Sequence, residues 1–124
     1  MDPVKEKKTL VLGASLNSDR YSNMAVRKLR YAGFPVVAVG QREGEISGVY
    51  VEKPYPPFTG VHTVTLYMGA KNLRQFHDYI LELHPERVIF NPGSESPELA
   101  EKLGEAGIEV VYGCTLVMIA NGEY

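Results

Sequence analysis

The stretch TLVLGASLNSDRYSN, residues 9–23, holds residue types suited to binding phosphate: Gly13, Ser15, Arg20 and Ser22, set between an apolar run and a helical one. A glycine after a strand lets the backbone turn tightly and approach a ligand. A helix beginning near Ser22 offers unpaired N–H groups and the positive end of its dipole to an anion. Arg20 adds a charge-assisted, bidentate donor. A purely structural reading stays open beside this one, in which Gly13 permits a turn, Ser22 caps a helix and Arg20 is solvated. The dinucleotide fingerprint G-x-G-x-x-G is incomplete here, because Ser15 stands two residues after Gly13 and no third glycine follows in place.

A second informative position follows the next strand. Enzymes that use NAD place an acid there for the ribose hydroxyls, about 20 residues beyond the glycines. The segment VGQRE instead gives Gly40, Gln41 and Arg42. Arg42 suits a phosphorylated ribose, as in NADP or in the 3′-phosphate-bearing adenosine of coenzyme A. Glu43 keeps NAD open, and Arg42 also reads as an ordinary surface residue.

Other chemistry-bearing residues have weaker patterns. His62 precedes or starts a strand at its amino end, remote from the ligand edge, while His77 and His84, seven apart on a helix, lack a carboxylate or second ligand at metal-binding spacing and read as partly exposed helix histidines. Cys114, at the end of a strand, is either a small apolar residue or a thiol activated by helix N–H groups near Thr115 and able to pair with a thiol ligand. Glu95, Glu98, Glu101 and Glu105 form a solvated helix face. FNPGSES offers turn amides for an anion, although Asn91 and Ser94 fit a turn equally well.

These residues need a scaffold, and the hydrophobic periodicity supplies one. TLVLGA (9–14), FPVVAVG (34–40), VHTVTLYM (61–68), RVIFNPG (87–93) and IEVVYG (108–113) predict five strands. Between them, helices are expected from Ser22 to Gly33 with Ser22 or Asn23 as cap, over 70–84, and over 96–107 with Ser96 as cap and Pro97 in the first turn. TLVMIANG predicts a short closing helix. QREGEISGVYVEKPYPPFTG is expected to be an irregular wrapped loop, with GVYV a short extended piece. The alternation predicts a Rossmann-like α/β domain over residues 1–124: a three-layer α/β/α arrangement around a five-stranded, mostly parallel sheet. Ligands of such sheets sit at the carboxyl ends of the strands, which collects Gly13–Ser15, Gly40–Arg42, Tyr67–Gly69, Asn91–Gly93 and Gly113–Thr115 at one edge.

Composition narrows the class. A chain of 124 residues predicts one domain with its own core. A net charge of −2 argues against a general nucleic-acid binder. No apolar run approaches the roughly 20 residues needed to span a bilayer, so no membrane partner is expected. One cysteine, no internal disulfide and no signal-like start point to the cytoplasm. The apolar TLVMI tail and the edge strands make a homodimer an expectation.

Three pieces, LVLGASLNSDRYSNMAVRKLRYAGFPVVAV, GEISGVYVEKPY and VIFNPGSESPELAEKLGEAGIEVVYGCTLVMI, resemble the small stand-alone CoA-binding domain proteins. They are similar to the N-terminal nucleotide-binding domain of the succinyl-CoA synthetase α subunit. The resemblance implies a site for coenzyme A or an acyl-CoA. Gly13, Ala14, Ser15, Asn17, Arg20, Tyr21 and Ser22 would take the pyrophosphate. Gly40, Gln41 and Arg42 would lie along the adenosine. Tyr67, Met68 and Gly69 would flank the adenine or the pantetheine arm, with Asn91 and Gly93 at the next strand end. The related synthetase transfers phosphate through a histidine on a separate domain, so the resemblance implies binding without catalysis. Gly40–Gln41 replaces a common Asn-Pro, LYMGAKN has only Lys71 where an arginine is usual, and the chain has no tryptophan. Two further readings therefore stand beside it: a Rossmann-like interaction protein with a degenerate pocket, and an NAD(P)-binding enzyme subunit.

Overall fold

The computed structural model describes residues 6–124. Its elements run β1 (Thr9–Leu12), α1 (Tyr21–Tyr31), β2 (Val36–Val39), β3 (Gly44–Ile46), β4 (Val49–Glu52), β5 (Thr63–Leu66), α2 (Ala70–Leu73), a 3-10 turn (Arg74–Phe76), α3 (His77–Leu83), β6 (Arg87–Phe90), α4 (Pro97–Glu105), β7 (Glu109–Tyr112) and α5 (Thr115–Ala120). The strands form one sheet in the order β3-β4-β2-β1-β5-β6-β7. All neighbours pair in parallel except β3 with β4.

The sheet has seven strands where five were expected, because the segment after β2 is not an irregular loop. β3 and β4 form a hairpin across Ser47 and Gly48, both at positive φ (48° and 82°), as the two-residue mirror-image turns of hairpins require. β4 then adds to the sheet beside β2, aligning Ala38 with Val51 and Val39 with Glu52.

Alternation along each central strand distributes its side chains to two layers. Leu10, Leu12, Val64, Leu66, Val88 and Phe90 pack on one face with Leu73, Phe76 and Ile80 and with Leu99 and Leu103 of α4. Val11, Ala38, Val51 and Ile89 pack on the other with Val26 and Leu29 of α1 and Met118 and Ile119 of α5. β1 and β5 carry helices on both faces and are buried throughout, which their unbroken apolar or β-branched sequences anticipate. Tyr124 seals the second layer. Its ring stands edge-on to Phe34, and its hydroxyl meets the Thr9 hydroxyl.

Two helix expectations change. The segment 70–84 is not one helix: it is broken by the 3-10 turn and stopped by His84 in the left-handed conformation. Its apolar stripe nonetheless faces the core at Leu73, Phe76, Tyr79 and Ile80. In α1 the N-cap is Arg20, without a side-chain capping bond, so neither Ser22 nor Asn23 caps it. By contrast, Ser96 accepts from the Leu99 N–H and Pro97 opens α4, as the sequence indicates.

His77 is buried, 3% exposed, rather than partly exposed, because it starts α3 on the side facing α4. Its Nδ1 accepts from Lys102 Nζ at 3.1 Å, while its Nε2 is buried without a partner. Burial lowers its pKa, reinforced by Lys102 and Arg74 and opposed by Glu98 and Asp78. A histidine whose folded pKa lies below its unfolded value contributes stability above the unfolded pKa, near 6.5, and loses it as pH falls toward the folded pKa. The melting temperature is therefore expected to drop between pH 7.5 and pH 5, and His77→Leu is expected to flatten part of that slope. An unaltered slope in the variant would assign the effect to other groups, such as His62.

Candidate ligand-binding cleft

The strand order reverses between β1 and β5. The chain leaves β1 toward β2 and β4, then returns to place β5 on the other side. Loops diverge at such a switch point and leave a crevice beyond the carboxyl ends of the strands. A cleft of about 830 Å³ occupies this position, within the range of small-molecule sites. Gly13, Ala14, Ser15, Leu16, Asn17, Arg20 and Ser22 line it on the β1 side, and Val39, Gly40, Gln41 and Arg42 at the end of β2. Pro54, Tyr67, Met68, Asn72, Gln75 and Phe76 close the opposite side.

Two glycines bring these walls together. Gly13 has φ +97°, and a Cβ on it would lie 2.6 Å from the Tyr67 carbonyl oxygen. A Cβ on Gly40 would collide with the Ala14 carbonyl. The first loop thus packs against backbone on both sides, which its sequence permits only with hydrogen in place of a side chain at these positions.

The loop is held by its own polar groups. The Gly13 and Ala14 N–H groups both donate to the Val39 carbonyl at 2.9 Å. Ser15 N–H donates to Ser22 Oγ at 3.0 Å, Asn17 N–H to Ser15 Oγ at 3.1 Å, and Asp19 N–H to Asn17 Oδ1 at 2.9 Å. Asn23 Nδ2 donates to the Ser15 carbonyl, and Arg27 bridges Asn23 Oδ1 and the Ser18 carbonyl, each at 2.8 Å. The loop amides nearest β1 are therefore already bonded. Donors left without a protein partner among the described residues are the Leu16 and Ser18 amides and those of Tyr21, Ser22 and Asn23 in the first turn of α1. The Ser15 and Ser22 hydroxyls accept these bonds and keep their own protons to donate.

The charge of the cleft is one-sided. Arg20 and Arg42 line it, both exposed and in no ion pair among the described residues, and no Asp or Glu lines it. A chain with net charge −2 thus keeps an uncompensated positive patch at its crevice, which attracts an anion. Tyr67 is the remaining titratable residue in the lining. Burial pushes its pKa up to about 12, and its hydroxyl is buried without a partner, while nearby Thr65 and Thr115 bond each other at 2.7 Å. It is a neutral phenol at ordinary pH.

Of the residues singled out in the sequence, the cleft brings together Gly13, Ala14, Ser15, Asn17, Arg20, Ser22, Gly40, Gln41, Arg42, Tyr67 and Met68. Tyr21, Gly69, Asn91 and Gly93 do not line it, nor does Cys114, which is half-buried at the start of α5. The strand ends of β6 and β7 lie beyond the switch point, which accounts for Asn91, Gly93 and Cys114. Asn91 is 2% exposed and ties the ends of β5 and β6 to the start of α5. Its Nδ2 donates to Thr65 Oγ1 at 2.7 Å and to the Leu66 carbonyl at 2.9 Å, and its Oδ1 accepts from the Thr115 N–H at 2.8 Å. Asn91→Ala is expected to destabilise the fold by about 2–3 kcal/mol, since it strands buried partners. Denaturant titration checks this, and a loss below about 0.5 kcal/mol would contradict the network's importance.

Sequence reasoning missed Leu16, Val39, Pro54, Asn72, Gln75 and Phe76 as lining residues. The spacing of Asn72 and Gln75, three apart on a helix whose Leu73 and Phe76 face the core, was the available signal.

Fold and cleft together define a Rossmann-like α/β domain with an anion-attracting crevice at its topological switch point. The family model for the CoA binding domain matches residues 7–120, and the chain belongs to that family. Membership supports association with coenzyme A in general. The chain is 47% identical to an uncharacterized protein of known crystal structure, with a TM-score of 0.92, covering 95% of this chain and 98% of that one. A conserved hypothetical protein from Pyrococcus furiosus is 28% identical, with a TM-score of 0.72 over 86% of this chain and 92% of its own. A Thermus thermophilus protein, cell-free ID.343, shares the fold at 24% identity, with a TM-score of 0.81 over 95% of this chain and 90% of that one. No curated protein matches the chain. Among the described residues, no helix is long and apolar enough to cross a membrane.

Proposed function

We propose that the chain binds coenzyme A or an acyl-CoA in the cleft between β1 and β5 and performs no chemistry on it. The observation that carries this reading is the pair of arginines, Arg20 and Arg42, which among the described residues have no ion-pair partner and share a switch-point crevice with no carboxylate in its lining. Arg20, the Ser15 and Ser22 hydroxyls and the first-turn amides of α1 hold the diphosphate, with Gly13, Ala14 and Asn17 shaping the loop and Tyr21 adding its amide. Arg42 answers the 3′-phosphate, and Gly40 and Gln41 lie along the adenosine. Tyr67 and Met68 flank the ligand's other side, with Gly69 just beyond them. Among the described residues of the lining, the Ser15 and Ser22 hydroxyls stand without a histidine or carboxylate base to activate them, an arrangement suited to holding phosphate.

The open volume of the cleft disfavours a degenerate pocket. Gln41, in place of an acid at the end of β2, disfavours NAD. Thermal-shift and calorimetric titrations with coenzyme A, NAD and NADP test the proposal. Coenzyme A is expected to bind with a micromolar Kd or tighter and to raise the melting temperature by mass action. No shift at millimolar coenzyme A would overturn it. Self-association belongs to the same proposal: Tyr112 and Val117 are 61% and 53% exposed beside the β7 edge. Sedimentation is expected to show a dimer that Val117→Glu dissociates, and a monomer in the unmodified protein would remove this part.

A further inference from the structure

The cleft is chemically divided. Both of its cations, Arg20 and Arg42, stand on the β1 and β2 side, whereas Pro54, Tyr67, Met68, Asn72, Gln75 and Phe76 form a facing wall without charge. That wall is uncharged although the helix behind it is not. Lys71 and Arg74 alternate with Asn72 and Gln75 but do not line the cleft. Arg74 is turned toward α4, where its Nε lies 3.3 Å from Glu98 Oε2. The amides thus occupy the positions that face the cleft, and the cations occupy those that do not.

Asn72 and Gln75 are three residues apart and therefore lie on one side of the helical segment. Both are exposed. Asn72 has no side-chain partner among the described residues, and Gln75 has a single long contact, accepting from the Tyr55 hydroxyl at 3.5 Å. Each amide therefore retains donors and an acceptor. Behind them, Phe76 belongs to an aromatic group with Tyr55 and Tyr79, at centroid distances of 5.2 Å and 6.4 Å. A wall of paired amides over an aromatic and methionine surface matches a long, neutral chain that carries amide groups. It matches neither a second phosphate nor a charged ring.

We infer that Asn72 and Gln75 are specificity-determining residues that read the two amides of the pantetheine arm, so that the cleft selects pantetheine-bearing ligands over nucleotides that share only the phosphorylated adenosine. This inference rests on the proposed binding of coenzyme A and adds the ligand class selected within it. An amide side chain both donates and accepts, so it distinguishes a ligand amide from a methylene chain of equal length. Leucine matches the outline of Asn72, is one heavy atom shorter than Gln75, and at either position removes both functions.

The test compares coenzyme A with adenosine 3′-phosphate 5′-diphosphate, which lacks the arm, by calorimetry on the full chain and on Asn72→Leu/Gln75→Leu. The unmodified protein is expected to prefer coenzyme A by about tenfold or more, and the double variant by about threefold or less, from two lost hydrogen bonds. The loss is expected to fall on coenzyme A rather than on the truncated nucleotide. Asn72→Gln, which retains an amide, is expected to restore part of the preference when set against Asn72→Leu. Equal binding of the two ligands by the unmodified protein, or an undiminished preference in the double variant, would overturn the inference while leaving coenzyme A binding intact. Binding of neither ligand would instead overturn the function on which it rests.

Discussion

Alanine at position 13 is expected to lower the melting temperature by about 10 °C, from a loss on the order of 3 kcal/mol. Two costs combine. The residue must hold φ +97°, a region that L side chains rarely adopt, and its new methyl must sit 2.6 Å from the Tyr67 carbonyl oxygen, where neither strand end can yield cheaply. Ligand affinity is expected to fall with stability, since the same displacement moves the loop that carries Arg20 and is bonded to Ser22. Gly93→Ala separates the two costs. Gly93 also has positive φ, +93°, but its Cβ would meet nothing within 4 Å. It is expected to lose only about 1 kcal/mol and to leave the cleft unaltered. Equal melting temperatures for the two variants would show that the contact with Tyr67 contributes nothing.

Removing the guanidinium groups has the largest expected effect on affinity. Arg20→Ala and Arg42→Ala are each expected to weaken coenzyme A binding by about tenfold, and the double variant by about a hundredfold. These values stand at the low end for charge-assisted hydrogen bonds, because both residues are exposed and screened by solvent. Their melting temperatures are expected to match the unmodified protein, since neither side chain has an ion-pair partner to lose among the described residues. Binding should weaken as salt rises, with a shallower dependence in the double variant. A double variant that binds coenzyme A as tightly as the unmodified protein would sink the electrostatic reading of the cleft.

The parts of the fold that were legible in the sequence are those set by local chemistry. Ser96 and Pro97 mark the start of α4 without reference to anything distant, and the apolar run at residues 9–12 gives a strand buried on both faces. Of the β3–β4 hairpin, GVYV is legible as a short extended piece that overlaps β4, but β3 escaped because three residues beginning with Gly44 are too few for alternation to stand out. The hairpin turn also places Ser47, a residue with a side chain, at positive φ. The break within residues 70–84 escaped because the apolar stripe continues through the 3-10 turn without interruption. For the cleft, the sequence indicated the loop after β1 and the end of β2. It did not indicate which of the remaining strand ends would face them. That choice depends on the reversal of strand order, which turned Asn91 inward to bind Thr65, Leu66 and Thr115 and placed Asn72 and Gln75 opposite Arg20. Ser22, expected as a cap, instead accepts from the Ser15 amide, a role set by how the loop folds back.

The position of β1 in the middle of the sheet also governs biosynthesis. A nascent chain that has emerged only as far as Gly60 contains β1, its loop and both arginines, but one long edge of β1 has no neighbour. That edge is filled only when β5 docks along it, pairing Thr9 with Thr63 through to Leu12 with Leu66. Until then, a strand with three apolar residues, Leu10, Val11 and Leu12, is open to pairing with other chains, and Tyr67 and Met68 are not yet in place to complete the crevice. A ligand of this crevice can therefore stabilise the finished protein, but it gives no protection to a chain stalled before β5 has emerged.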